Sequence, residues 1–311
     1  MAQVYRNFNL NGDLEQRSDQ IKTLLLANGW TSGSQTLSFY IGGYLNDNLT
    51  FTSLKDLNGG IIFYSPYFNT ISSNTNIVSQ VWGLSNSTDI NNFITDIKIF
   101  LRNSIEFPNN NYYTENLVYD IFIGDNYLIV LKLANTSWGI GGATTHHNIL
   151  NEPKIMVYIN SDPISLFTNY LGINEFNTNY LAKKTIIRKG TKLYFSGDYT
   201  QNPLVSHDNF IANDDMRLLN IRDSNFVYNT STIDNSRSKV GEIRFQVDNQ
   251  FYKVNGIYVF DTSDPLEAKV NLTINGTNYE AYLYKFNQIN YGNYFKQIVI
   301  IPSLIGISQV I

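Results

Sequence analysis

The chain contains no cysteine. That excludes disulfides, cysteine-ligated zinc and thiol nucleophiles together. Histidine is scarce, with only three residues, and no HExxH-type metal spacing occurs. Charge is scarce as well: 15 % of residues are charged, against about 25 % in an ordinary globular chain. Lys and Arg never cluster into a stretch long enough to follow a phosphate backbone. With a net charge of -4, nucleic acid is disfavoured as a partner. Nowhere do about 18 apolar residues run together, so nothing reads as a membrane-spanning helix. The first residues carry no apolar signal region. The expectation is a product that stays in the cytosol or leaves inside an assembled particle released by lysis. No internal repeat or heptad is visible, which argues against a long fibre shaft.

What the chain does have is aromatic and apolar mass. Of 311 residues, 43 % are apolar and 14 % aromatic, with 22 Tyr and 19 Phe. That is enough to bury a sizeable core, and the length allows one large domain or two ordinary ones. Asn, Ser and Thr replace the missing ions. Amides and hydroxyls are cheaper to desolvate than ions once they have partners. A surface rich in them and in Tyr suits coverage by other protein, because interface centres favour aromatics and avoid Lys and Glu. An AT-rich gene raises Asn, Ile and Tyr as well, and the two explanations are compatible.

The pattern predicts a mainly β protein. Its antiparallel sheets form a sandwich or barrel, with one N-terminal α-helix packed on a sheet. The helix is expected over 13–28. Leu14, Ile21, Leu24 and Leu25 recur at helical spacing, acidic residues open it, and Gly29 closes it. Short apolar runs at Leu37–Ile41, Gly60–Tyr64 and Asn76–Trp82 read as strands. Leu117–Ile123 and Asn126–Leu133 read as a hairpin joined by Gly124-Asp125. Lys154–Ile159 reads as a central strand, and Thr191–Phe195 as a further one. A helix capped by Ser87 or Thr88 competes with other readings over 84–95. A meander then runs from Glu242 to Ile301, with turns predicted at Asp248-Asn249, Asn255-Gly256 and Asn275-Gly276. Asn174–Ser238 reads as loop-dominated. The resulting division is 1–170 for a helix-plus-β domain and 171–240 for a loop-rich connection. The C-terminal meander takes 241–311, continuous with the first part or separate from it.

Chemistry is thinly represented. His146, His147 and His207 read as loop residues, since neighbours in a strand point to opposite faces and rarely meet at one metal. Asp198, Asp208, Asp214 and Asp215 cluster, but Asx turns explain Asp in loops as well as calcium does. Paired acids for glycoside hydrolysis would have to face each other about 5–9 Å apart, and no pair stands out. Gly139-Ile140-Gly141-Gly142 lacks the Lys-Ser or Lys-Thr of a phosphate loop and reads as a turn or hinge. Phe63, Tyr64, Tyr67 and Phe68 read as strand core first and as a sugar-stacking surface second. No catalytic, cofactor-binding or metal-binding residue is therefore assigned.

One resemblance covers most of the chain in layout. Val4-Tyr5-Arg6-Asn7 through the helix to Asn28-Gly29-Trp30 resembles the opening of a group of tailed-bacteriophage virion structural proteins. The run Ile121-Phe122-Ile123-Gly124-Asp125-Asn126-Tyr127-Leu128 is similar to their Gly-Asp hairpin. Tyr170-Leu171-Gly172-Ile173, the segment from Gly241-Glu242 to Gly256-Ile257-Tyr258, and Asn293-Tyr294-Phe295 also resemble that group. Composition departs from it, with more Asn and Ile. None of these motifs carries chemistry, so the resemblance implies a non-enzymatic structural subunit without cofactor or metal. Its implied place is the virion, with no position in the particle implied; the expectation is a tail- or baseplate-associated subunit, assembled in the host cytoplasm against other virion proteins and copies of itself. A head-to-tail connector or capsid-associated subunit is the first alternative. A receptor-recognition module that binds host glycan is the second, and a tail-associated polysaccharide hydrolase the third.

Overall fold

The computed structural model describes residues 2–12, 14–41, 45–72, 75–93, 117–132, 154–168, 185–196, 216–223, 239–262, 268–287 and 295–310. Three antiparallel sheets and one helix account for nearly all of them. The first sheet runs β1 (Gln3–Leu10), β6 (Leu117–Ile123), β7 (Tyr127–Lys132), β8 (Lys154–Ser161), β9 (Ile164–Thr168), β10 (Thr185–Lys189) and β11 (Lys192–Ser196), in that spatial order. The second is a simple meander of β2 (Thr31–Ile41), β3 (Leu45–Lys55), β4 (Ile61–Ser72) and β5 (Thr75–Leu84). The third holds β12 (Met216–Asp223), β13 (Lys239–Val247), β14 (Gln250–Thr262), β17 (Phe295–Ile300), β16 (Thr277–Asn287) and β15 (Ala268–Ile274). A last strand, β18 (Gly306–Val310), pairs with β14.

The first sheet is the middle layer. In a strand, successive side chains point to opposite faces. Phe122, Ile129, Leu131, Ile155, Val157, Ile159, Leu166, Ile187 and Tyr194 share one core with Phe245, Val254, Ile257, Tyr284 and Ile298 of the third sheet. The residues alternating with them, Ile121, Ile123, Leu128, Val130, Met156, Tyr158, Phe167, Ile186 and Leu193, share a second core. Its other members include Ile21 and Leu25 of the helix and Leu54, Ile62, Tyr64 and Trp82 of the second sheet. Burial on both faces explains why β7 and β8 read as unbroken apolar runs instead of alternating ones. A third, smaller core of Leu272, Ala281, Leu283, Val299 and Ile301 lies on the other face of the third sheet.

The helix, α1, spans Leu14–Ala27 and packs on this assembly through Ile21 and Leu25. Its end is a Schellman motif. Gly29 has φ 86, its N–H donates to Leu26 O at 3.1 Å, and the N–H of Trp30 donates to Leu25 O at 3.2 Å. Both orphan carbonyls are thereby satisfied. A mainly β protein with an N-terminal helix on a sheet is thus the fold found.

Several local expectations need correction. Asn255-Gly256 does not reverse the chain; it is a bulge inside β14. Glu242 pairs with Tyr258 and Ile243 with Val254, leaving the residues between them without a partner in β13. Gly256 takes φ 76, and the strand bends there. Its first half then pairs with β18 and its second half with β17. The β6–β7 turn is shifted by one residue: Ile123 pairs with Leu128 and Gly124 N–H donates to Tyr127 O at 3.0 Å, so Asp125-Asn126 reverse the chain. Its polar groups are used by other parts of the fold: Trp30 Nε1 donates to Gly124 O, Leu57 N to Asp125 O, and Asn126 Nδ2 to Asn160 O. Residues 85–93 form successive side-chain-capped bends, not a helix. Ser87 N–H donates to Ser85 Oγ, Asp89 N–H to Ser87 Oγ, and Asn91 N–H to Asp89 Oδ1. Such local bonds compete with helix formation. The segment read as loop-dominated contains β10 and β12 besides β11, which forms where Thr191–Phe195 is expected as a strand. The other two turns form as predicted, with Asp248 at φ 49, Asn249 at φ 60 and Asn275 at φ 50.

Candidate functional site

The richest polar cluster lies where the turn after β3 meets the middle sheet. The sequence Asp56-Leu57-Asn58-Gly59-Gly60 makes the turn, and Asp56 caps it from within. One oxygen, Oδ1, accepts the N–H of Asn58 at 2.8 Å and of Gly60 at 2.9 Å. The other, Oδ2, accepts Tyr158 Oη at 2.7 Å and Asn160 Nδ2 at 3.0 Å. Gly60 is required by proximity: a Cβ there would lie 2.2 Å from Tyr158 Oη. Asn160 turns its oxygen the other way, to Ser165 Oγ at 2.8 Å and Arg188 Nη2 at 3.2 Å. Arg188 Nε completes the ring on Ser165 Oγ at 3.2 Å. A buried anion and a buried cation are thus joined through one amide, which gives its donor to the acid and its acceptor to the base.

Burial raises the pKa of Asp56 above its ordinary value, against the hydrogen bonds from Tyr158, Asn160, Gly60 and Asn58. Burial, followed by the charge of Asp56, pushes the Tyr158 phenol well above its usual range. Ser165 donates to an amide oxygen, which is not a base. Its hydroxyl is therefore not activated as a nucleophile would be.

A second cluster joins the middle and third sheets. Asp120 is completely buried. It accepts Arg6 Nε at 2.6 Å, Asn7 N–H at 2.7 Å and Tyr284 Oη at 2.6 Å. Asn7 reaches it because β1 bulges there, with φ 52. Burial and the neighbouring Asp120 carboxylate drive the Tyr284 phenol far upward. The Arg6 guanidinium and Lys269 Nζ also lie 5.5 and 5.6 Å from the ring centre of Tyr282. A third contact, at the rim, sets Asp248 against Lys189 Nζ at 3.0 Å and Tyr194 Oη at 2.8 Å. It ties the β13–β14 turn to the end of the middle sheet.

Each cluster therefore spans two layers, and the first two are closed by donors from both. Sequence reasoning missed all three. One signal was present: Asp120 is a lone acid inside the apolar run of β6, where only a paired carboxylate is tolerated. Nothing marked Asn160 or Arg188, which meet only after β8, β9 and β10 align.

His146, His147, His207, Asp198, Asp208, Asp214, Asp215 and the 139–142 glycine run lie outside the described residues. Phe63 and Tyr64 are buried at 2 % and 1 % exposure, in stacks with Phe93 and Trp82. They offer no face to a sugar. Tyr67 and Phe68 continue β4 across a register break. Among the described residues, no group of three His, Asp or Glu is placed to hold a metal. None of the described helices is long and apolar enough to cross a membrane.

Compared with known proteins, the chain matches no family model, and no curated protein or solved structure is significantly similar to it. Function is therefore argued from the residues themselves.

Proposed function

We propose that this protein is an architectural subunit of a tailed-bacteriophage particle, associated with the tail or baseplate. It acts by contact with other virion proteins and with copies of itself. The observation that carries the reading is the inward direction of its polar chemistry. Asp56, Asn160 and Asp120 spend hydrogen bonds between layers, and Arg188 closes the first cluster from within the middle sheet. Such clusters specify one arrangement of the sheets without facing a substrate. Among the described residues, strand edges and mostly polar side chains face outward, with Leu26, Leu57 and Phe251 as the large apolar exceptions. In β15, an edge of the third sheet, Lys269 and Asn271 are exposed. In β1, the opposite kind of edge, most side chains are half-buried or exposed. Edges of this kind can pair with another chain, and repeated head-to-tail contacts close into rings. The phage assignment itself rests on the resemblance in layout described from the sequence.

The test begins with mass spectrometry of purified particles, followed by electron cryo-microscopy. Fixed stoichiometry in the particle supports the reading, and the neighbouring densities then separate tail or baseplate from connector or capsid. Particles that lack the chain overturn it.

A further inference from the structure

We propose that Asn275-Gly276, the turn between β15 and β16, is a preferential site of spontaneous deamidation in the folded protein. Five Asn-Gly pairs occur, at Asn11, Asn28, Asn58, Asn255 and Asn275. As sequence they are equivalent, because glycine leaves the following amide nitrogen unhindered in each. The reaction needs that nitrogen to attack the Asn side-chain Cγ. The new C–N bond closes a cyclic imide, the Cγ–Nδ2 bond breaks, and ammonia leaves. Water then opens either carbonyl, giving aspartate or, with one more methylene in the main chain, isoaspartate. No oxidant or further reactant is needed. What differs among the five is how firmly each pair is held away from that geometry.

Four are held. Asn28 donates its side-chain amide to Leu24 O at 2.7 Å and Tyr5 Oη at 3.0 Å, and the attacking Gly29 N–H is committed to Leu26 O. At Asn58 the backbone N–H is bonded to Asp56 Oδ1, and Gly59 N–H to Asp56 O at 3.2 Å. Asn255 bonds Ser308 Oγ at 3.1 Å, and Gly256 is buried against the backbone of Ile301, Leu304 and Ile305. Asn11 is clamped at both its N–H and its carbonyl by the Gln20 amide, and Gly12 sits directly on Gln16. The fifth pair differs. Both Asn275 and Gly276 are exposed, and a Cβ on Gly276 would meet nothing within 4 Å. Its turn is closed by the terminal Ile274–Thr277 pair of β15, a strand with a single neighbour among the described residues. Opening it disturbs the least structure of the five.

The test incubates the full protein at mildly alkaline pH, folded and in urea, and follows the five peptides by mass spectrometry with fragmentation that distinguishes isoaspartate. In the folded protein the Asn275 peptide should gain the mass of an amide-to-acid conversion roughly tenfold faster than the other four, the ratio expected when the others must first break one or two hydrogen bonds. In urea the five rates should converge. Asn275→Asp, which still suits the turn, should remove the leading signal and leave the other four unchanged. The proposal is overturned if another pair leads in the folded protein, or if Asn275 leads by the same margin in urea.

Discussion

At the scale of single residues, Asp56 shows how much one carboxylate can organise. Replacing it by Ala leaves the Tyr158 hydroxyl, the Asn160 amide and two backbone N–H groups without an acceptor. The expected loss is about 2–4 kcal/mol, read from a urea midpoint at neutral pH. Its pH dependence has a definite sign. Burial raises the folded pKa above the ordinary 3.8, so the folded state holds the proton more tightly than the unfolded chain. The proton-linked part of its contribution is fully present below that unfolded value and is lost as pH rises through the folded one, while the hydrogen bonds that Ala removes remain at neutral pH. Asp56→Asn should flatten that part of the stability–pH curve. A variant that follows the parent at every pH would show that the carboxyl is not shifted. Residues of this kind are the least legible from sequence. Asp56 reads as an ordinary turn former, and its partners Tyr158 and Asn160 are about a hundred positions away.

At the scale of elements, legibility was better, because periodicity is a local signal. The helix and most strands follow from spacing and turn residues alone. The failures are informative. Asn255-Gly256 has the composition of a hairpin turn, yet the strand continues, because β17 and β18 offer partners to both of its halves. A turn signal reports what the backbone can do, and the tertiary partners decide whether it reverses. Gly256→Ala should therefore act on a branch point. It would place a Cβ 2.7 Å from the Ile305 nitrogen at φ 76, and the expected destabilisation is about 2–4 kcal/mol by thermal or urea unfolding. The unbroken apolar runs of β7 and β8 carried a second message, burial on both faces. Leu128 and Ile129 are neighbours in sequence and belong to different cores. Leu128→Ala and Ile129→Ala should each lower stability by about 2–5 kcal/mol. In a one-sided sheet, one of the two would be nearly neutral.

At the scale of the whole molecule, the middle sheet unites the layers. Its amides in β7 and β8 are flanked by strands on both edges and by cores on both faces. Hydrogen exchange should be slowest there, approaching the rate of global unfolding, and fastest in β15 and the 85–93 bends. Exchange that is equally slow in β15 would contradict this ordering. The layered plan was only half visible beforehand. The sequence predicts a sandwich or barrel with a helix on one sheet, but not a sheet covered on both faces, because many of the covering contacts, such as Asp120 with Tyr284, join distant parts of the chain.

The order in which the chain is made gives this plan a further meaning. Synthesis proceeds from the N-terminus, so the middle sheet, the helix and the second sheet are complete by residue 196. Their shared core can then close on the ribosome. Among the described residues, the opposite face, with Phe122, Ile129, Val157 and Leu166, gains its main cover only when β13, β14, β16 and β17 emerge. Nascent chains paused in that interval display a wide adhesive surface. They are the species on which a chaperone would act, and a fragment ending before residue 239 should clump where the whole protein does not.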